Sequence, residues 1–172
     1  MVDAYVLRSV HRRCNYDREV AEGAYSNLQA EIQRRNTGGT REEAKEGTAE
    51  GYYGYLYEET KMADVVILPH LADFNAVRCL TTEHIEGLIR VLETMLAHKP
   101  FEVVTIHDEF KCHANNMNHL RNHYREILAD LADSTTLDYI LSDLLGFPVK
   151  YAKLSKPGEL SKLIRGSAYA LC

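Results

Sequence analysis

Phe101-Glu102-Val103-Val104-Thr105-Ile106-His107-Asp108-Glu109-Phe110-Lys111-Cys112 is the stretch on which the reading of this chain turns. The β-branched residues up to Ile106 favour an extended strand, and the residues after Asp108 suit a second short strand running through Cys112. The polar group His107-Asp108-Glu109 therefore falls at a strand turn. Three ionisable side chains directly behind strand-forming sequence are an unusual placement unless the charge is used, which makes this turn the first candidate for chemistry. A His-Asp pair by itself carries little weight, because it recurs by chance and often marks only a surface turn.

Working outward, Thr81 or Thr82 can cap a helix in which Ile85, Leu88, Ile89, Leu92, Met95 and Leu96 form one apolar face, ended by Lys99-Pro100. Downstream, Asn115 or Asn116 can cap a helix carrying Met117, Leu120, Tyr124, Ile127, Leu128 and Leu131. Ser134 can cap another with Leu137, Ile140, Leu141 and Leu144, stopped by Gly146 and Pro148. Nearer the start, Val20, Ala24, Leu28 and Ile32 recur every four residues and predict a helix over 16–35, broken by Thr37-Gly38-Gly39. The stretch from Thr40 to Lys61 is acidic and then crowded with tyrosines, and its state stays open. Val65-Val66-Ile67-Leu68, closed by Pro69, suits either a buried strand or a helix end. The order describes an α+β fold, a small antiparallel sheet backed by amphipathic helices. It also suggests two parts: a mainly helical segment over 1–62, and the sheet-bearing region over 63–172 with its C-terminal tail.

With 172 residues and 45% hydrophobic side chains, the chain can bury a real core. No apolar run reaches the ~20 residues needed to span a bilayer, and the start lacks a signal-peptide pattern, so the expectation is a cytoplasmic protein without a membrane partner. Cys14, Cys79, Cys112 and Cys172 are scattered without a Cys-x-x-Cys pair and are read as reduced thiols. A net charge of −5 argues against an autonomous nucleic-acid binder, so such contact must be local. One local surplus exists: between Phe147 and Cys172, Lys150, Lys153, Lys156, Lys162 and Arg165 face Glu159 alone.

Thr105-Ile106-His107-Asp108-Glu109-Phe110 resembles motif C of the single-subunit RNA polymerases of phages and mitochondria, a strand followed by His-Asp-x-Phe or His-Asp-x-Tyr. The likeness continues in order through Cys112-His113-Ala114-Asn115-Asn116, Tyr124-Arg125-Glu126 and Leu137 to Leu145. It ends in Lys156-Pro157-Gly158-Glu159-Leu160, Leu163-Ile164 and Ser167-Ala168-Tyr169-Ala170, similar to that family's terminal segment, which folds back toward the active site. Upstream, Asn75-Ala76-Val77-Arg78 and His84 resemble a stretch that contacts the template side, with Arg78 where the family usually has His and Thr81 where it usually has Asp.

The resemblance implies a palm-like fold, a magnesium-binding catalytic Asp108, an orienting His107 and a nucleic-acid contact at Arg78. Two magnesium ions a few ångström apart require rigidly held carboxylates, which a short Asp on a strand turn provides. No Asp-Gly-x-x-x-Gly motif A is present, so the second metal-binding acid must come from elsewhere. Arg41, Lys45, Tyr53 and Gly54 reproduce the spacing of motif B, yet Gly47 and Gly51 weaken a helix and Glu42, Glu43, Glu46 and Glu50 would repel a triphosphate.

The resulting expectation is one subunit of a split bacteriophage-type transcription enzyme. It acts on a DNA template, RNA product and nucleoside triphosphates, with a second polymerase subunit supplying motif A and motif B. Three alternatives stand beside it. Glu109 fits the His-Asp-Glu of family A DNA polymerases. A non-catalytic accessory subunit could keep the fold as a platform. A metal-dependent phosphohydrolase could gather His113, His119 and His123, but it would carry His-Asp on a helix.

Overall fold

The computed structural model describes residues 2–106 and 109–168. In chain order the helices are α1 (Val2–Cys14), α2 (Arg18–Asn36) and α3 (Ala49–Thr60), followed by a 3-10 turn over Val65–Leu71, α4 (Phe74–Val77) and α5 (Thr82–Leu96). Strands β1 (Val104–Ile106) and β2 (Glu109–Lys111) come next, then α6 (Met117–Asp133), α7 (Thr136–Leu145) and α8 (Glu159–Gly166). The fold is α+β, mostly helical with one two-stranded antiparallel sheet among the described residues. No helix among the described residues is long and apolar enough to cross a membrane.

Two compact units form, and neither is a single stretch of chain. One gathers the segments Asn15–Glu58 and Ala63–Phe101; the other gathers Met1–Cys14, Glu59–Met62 and Glu102–Cys172.

In the first unit, α2 packs along α5, the 3-10 turn and α4. Leu28, Ile67, Leu71, Leu80, Ile85, Leu88, Leu92 and Met95 have essentially no exposed surface and form its core. Helix entry follows side-chain caps, which satisfy otherwise orphaned N–H groups. The Asp17 carboxylate accepts from the Glu19 and Val20 N–H groups, Asp64 from Val66, Asp73 from Asn75, and Thr81 from His84. At the far end of α5, the Tyr16 hydroxyl reaches the carbonyls of Met95 and His98 at 2.6 Å each.

A buried charge closes this unit. Glu31 lies on the inward face of α2 with no exposed side-chain surface, and accepts from Arg34 and Arg35 at 2.7 Å. Burial alone would raise its pKa, but those two guanidinium groups more than reverse this and hold the carboxyl below its ordinary range. Arg35, fixed by Glu31, donates onward to the carbonyls of Arg78 and Leu80 and to the Thr82 hydroxyl, tying the end of α2 to the start of α5.

In the second unit α6 is the spine, with α1 and α8 packed on it. Arg165 of α8 bridges Glu126 and Asp130 of α6 at 2.9 and 2.8 Å, and Arg13 of α1 approaches Asp130 at 3.7 Å. Buried apolar contacts come from Val6, Val10, Leu120 and Ile127. Helix α7 ends where Gly146 takes a left-handed conformation at φ 72°, open to glycine at no steric cost. The chain then doubles back along it: the Ser142 hydroxyl accepts from the Val149 N–H, and the Asp138 carboxylate from that of Tyr151.

Several sequence expectations are sharpened. The strand expected from Phe101 narrows to Val104–Ile106, because a strand exists only where a neighbour pairs with it and the return strand spans just Glu109–Lys111. The Val65–Leu68 run is a 3-10 turn rather than a strand. The Ser134 cap is present as a hydrogen bond from the Thr136 N–H to its hydroxyl at 3.3 Å.

Candidate functional site

The candidate site is the β1–β2 hairpin. Val104 pairs with Lys111, Thr105 with Phe110 and Ile106 with Glu109. The closing pair Ile106–Glu109 therefore brackets His107-Asp108 in sequence; His107 and Asp108 themselves lie outside the described residues.

Alternation gives the hairpin two faces. Val104, Ile106, Glu109 and Lys111 share the exposed face, where the Glu109 carboxylate sits 3.0 Å from the Lys111 ammonium. Thr105 and Phe110 share the other, and the Phe110 ring meets Tyr124 of α6 with centroids 5.6 Å apart. One aromatic contact thus fastens a short hairpin to the spine helix of its unit. This matters because an isolated two-stranded hairpin is marginally stable in water.

Among the described residues, no group of three or more His, Cys, Asp or Glu side chains is arranged to hold a metal ion. Glu109 is the one described carboxylate on the strands, and Lys111 already accompanies it.

The other expected residues fall as follows. Arg78 belongs to the other compact unit; its guanidinium pairs with Glu42 at 2.9 Å and lies 5.0 Å over the Phe74 ring. His84 is 1% exposed, stacked on Tyr57 with ring centroids 4.1 Å apart, and cannot touch a template from there. Burial, with the Arg41 cation as a lesser cause, pushes its pKa down to about 3, and its Nδ1 makes no hydrogen bond within the protein. The motif B spacing does not become a motif B helix. Arg41 and Lys45 lie in irregular chain, while Tyr53 and Gly54 lie on α3. Arg41 itself donates to the Cys79 carbonyl at 2.6 Å and to Glu58 at 2.7 Å.

The cationic tail is partly committed as well. Arg165 is held by Glu126 and Asp130, and Lys153 donates to the carbonyls of Ala132 and Ser134 at 2.7 Å, whereas Lys150, Lys156 and Lys162 stand exposed. Its last residues, Tyr169–Cys172, lie outside the described residues. Cys14, Cys79 and Cys112 are free thiols, and burial pushes Cys14 up to about 12, which keeps it protonated and unreactive.

Sequence reasoning missed the His84–Tyr57 stack and the Glu31 clamp. The i, i+3 and i, i+4 spacing of Arg34 and Arg35 from Glu31 was the available signal for the clamp. For the phosphohydrolase alternative, the residues flanking His107-Asp108 are strands rather than the helix that reading requires. No family model matches the chain, and no curated protein matches it.

Proposed function

We propose that this chain is one subunit of a DNA-dependent RNA polymerase of the phage and mitochondrial single-subunit kind. It contributes Asp108 to the metal site, and a second chain contributes motif A, the nucleotide-binding helix and most template contacts. The observation that supports the reading is the antiparallel pairing of Val104–Ile106 with Glu109–Lys111, whose closing pair brackets the His-Asp of the motif C pattern.

In this reading Asp108 supplies one share of the metal coordination, and the neighbouring strands limit its freedom. His107 orients the turn by a hydrogen bond, and Phe110, anchored on Tyr124, fixes the hairpin to α6. Magnesium, when bound, supplies Lewis-acid stabilisation of the phosphoryl oxygens. Because one carboxylate leaves most ligands to water, the chain alone binds magnesium weakly; tight stoichiometric binding without a partner contradicts the proposal. Arg78, as proposed, holds a backbone phosphate, which requires exchanging its Glu42 partner for the nucleic acid.

The test is templated synthesis by the chain together with whatever co-purifies from its native source, offered ribonucleotides or deoxyribonucleotides. Magnesium-dependent RNA synthesis that needs both chains is the expected result. Deoxyribonucleotide incorporation points instead to the DNA polymerase alternative, and no synthesis from an intact complex points to the accessory subunit.

A further inference from the structure

Helix α8 docks on α6 by its polar side. Ser161 is its one buried residue, and Ile164 and Arg165, half-buried at i+3 and i+4 from it, complete the inward stripe. The leucines point away: Leu160 is 45% and Leu163 72% exposed. Apolar burial therefore does little to hold α8, and a helix of eight residues has no independent stability in water. Polar ties hold it instead. At its start the Gly158 N–H donates to the Asp133 carboxylate at 3.2 Å, and at its end Arg125 donates to the Ser167 carbonyl at 3.0 Å. Between them Arg165 forks onto Glu126 and Asp130 at 2.9 and 2.8 Å.

These ties converge on one turn of the spine helix. Tyr124, Arg125 and Glu126 are consecutive, and they hold in order the Phe110 ring of the hairpin, the Ser167 carbonyl and the Arg165 guanidinium. One turn on, Asp130 is shared between Arg165 and Arg13 of α1. The hairpin depends on that turn, because two strands of three residues are marginal alone and no backbone hydrogen bond ties them to another element among the described residues. We propose that α8 is an ionic latch that docks and releases as a unit, and that its release loosens the hairpin held on the same turn of α6. Undocking strips this turn of its polar partners on one side, so α8 and the hairpin open together as one cooperative segment. Control of the candidate turn then lies in α8, whatever reaction the turn serves.

Hydrogen exchange of the full chain, read by mass spectrometry on α8, the two strands, α1 and α5, tests the latch. Raising sodium chloride from about 0.1 to about 1 M shortens the Debye length from about 10 to about 3 Å and weakens the Arg165 fork. Amides of α8 and of both strands then exchange about fivefold or more faster, while α1 and α5 keep their rates. Arg165→Gln has the same effect at low salt, about tenfold or more, and Arg165→Lys, which keeps the charge without the fork, falls between. Coupling is reciprocal, so Phe110→Ala speeds exchange in α8 as well. Arg18→Gln, which breaks an exposed pair on α2, changes neither segment. Faster exchange in α8 with the hairpin unchanged, or no response in α8, overturns the proposal. Equal acceleration in α1 or α5 reports wider unfolding and overturns it too. No nucleotide enters the assay, so the latch stands or falls separately from polymerisation.

Discussion

The unit built around α2 and α5 seals most of the leucines that face its core, whereas the unit built around α6 buries Leu120 and leaves several others open. In the first, Leu28, Leu71, Leu80, Leu88 and Leu92 are sealed inside, and every entry cap is a side chain aimed at a backbone N–H. In the second, Leu137, Leu144, Leu154 and Leu163 face solvent, and α7 is held mainly by hydrogen bonds to a returning segment. A fully buried leucine contributes about 1.5–3 kcal/mol relative to an exposed one, so the first unit collects this stabilisation and the second forgoes much of it. The candidate chemistry belongs to the second unit.

The contrast breaks hardest at Glu31. Removing its carboxylate in Glu31→Ala leaves Arg34 and Arg35 without their shared acceptor, and breaking a buried pair of this kind costs about 3–5 kcal/mol. Urea denaturation checks it, and a loss near zero shows that the clamp is ornamental. Next in size, Leu88→Ala opens a cavity at a residue with 0% exposure and lowers stability by about 2–5 kcal/mol in the same measurement.

Acid sharpens the comparison further. The His84 pKa is lowered from 6.5 to about 3 in the folded state, so the unfolded chain binds the extra proton across that interval. His84's contribution is therefore complete above pH 6.5 and is lost as pH falls toward 3, at up to ~1.4 kcal/mol per pH unit. Glu31, whose folded pKa is also lowered, adds a loss of the same sign below its ordinary value of 4.5. Melts between pH 7 and pH 4 follow this course, and His84→Phe, which keeps an aromatic stack on Tyr57, flattens it above pH 5. Smallest of all, Leu154→Ala changes stability by less than about 0.5 kcal/mol, because the side chain is already fully exposed. A large loss there refutes the division between sealed and open leucines.

Much of this was legible in the residues. The i, i+3, i+4 stripe of α5 and its Thr81 cap, the apolar face of α6, the stop at Gly146 and the hairpin through Glu109 all follow from local patterns. What local pattern could not supply was partnership. Thr40 to Lys61 becomes irregular chain and then α3, because Arg41 finds the Cys79 carbonyl and Glu58, contacts far along the chain. Of the expected α2 stripe, Ala24 and Leu28 are buried and Val20 and Ile32 pack against the core in part, but the buried face also takes in Ala21 and Glu31, a charge no hydropathy pattern places inside. Helices α1 and α8 were not foreseen as the two partners of α6, since the units join segments distant in sequence. At the candidate site, the sequence named the hairpin, while the Phe110–Tyr124 contact, Arg78's pairing with Glu42 and His84's burial behind Tyr57 depended on the folded surroundings.

The central claim rests on one carboxylate, and Asp108→Asn in the assembled complex tests it most directly. The change keeps the side chain's shape and removes its charge, so complex assembly and template binding stay as they are. The rate of magnesium-dependent RNA synthesis falls about a hundredfold or more, the scale of losing a principal electrostatic contact to the transition state. Synthesis at the unaltered rate from a fully assembled Asp108→Asn complex contradicts the account.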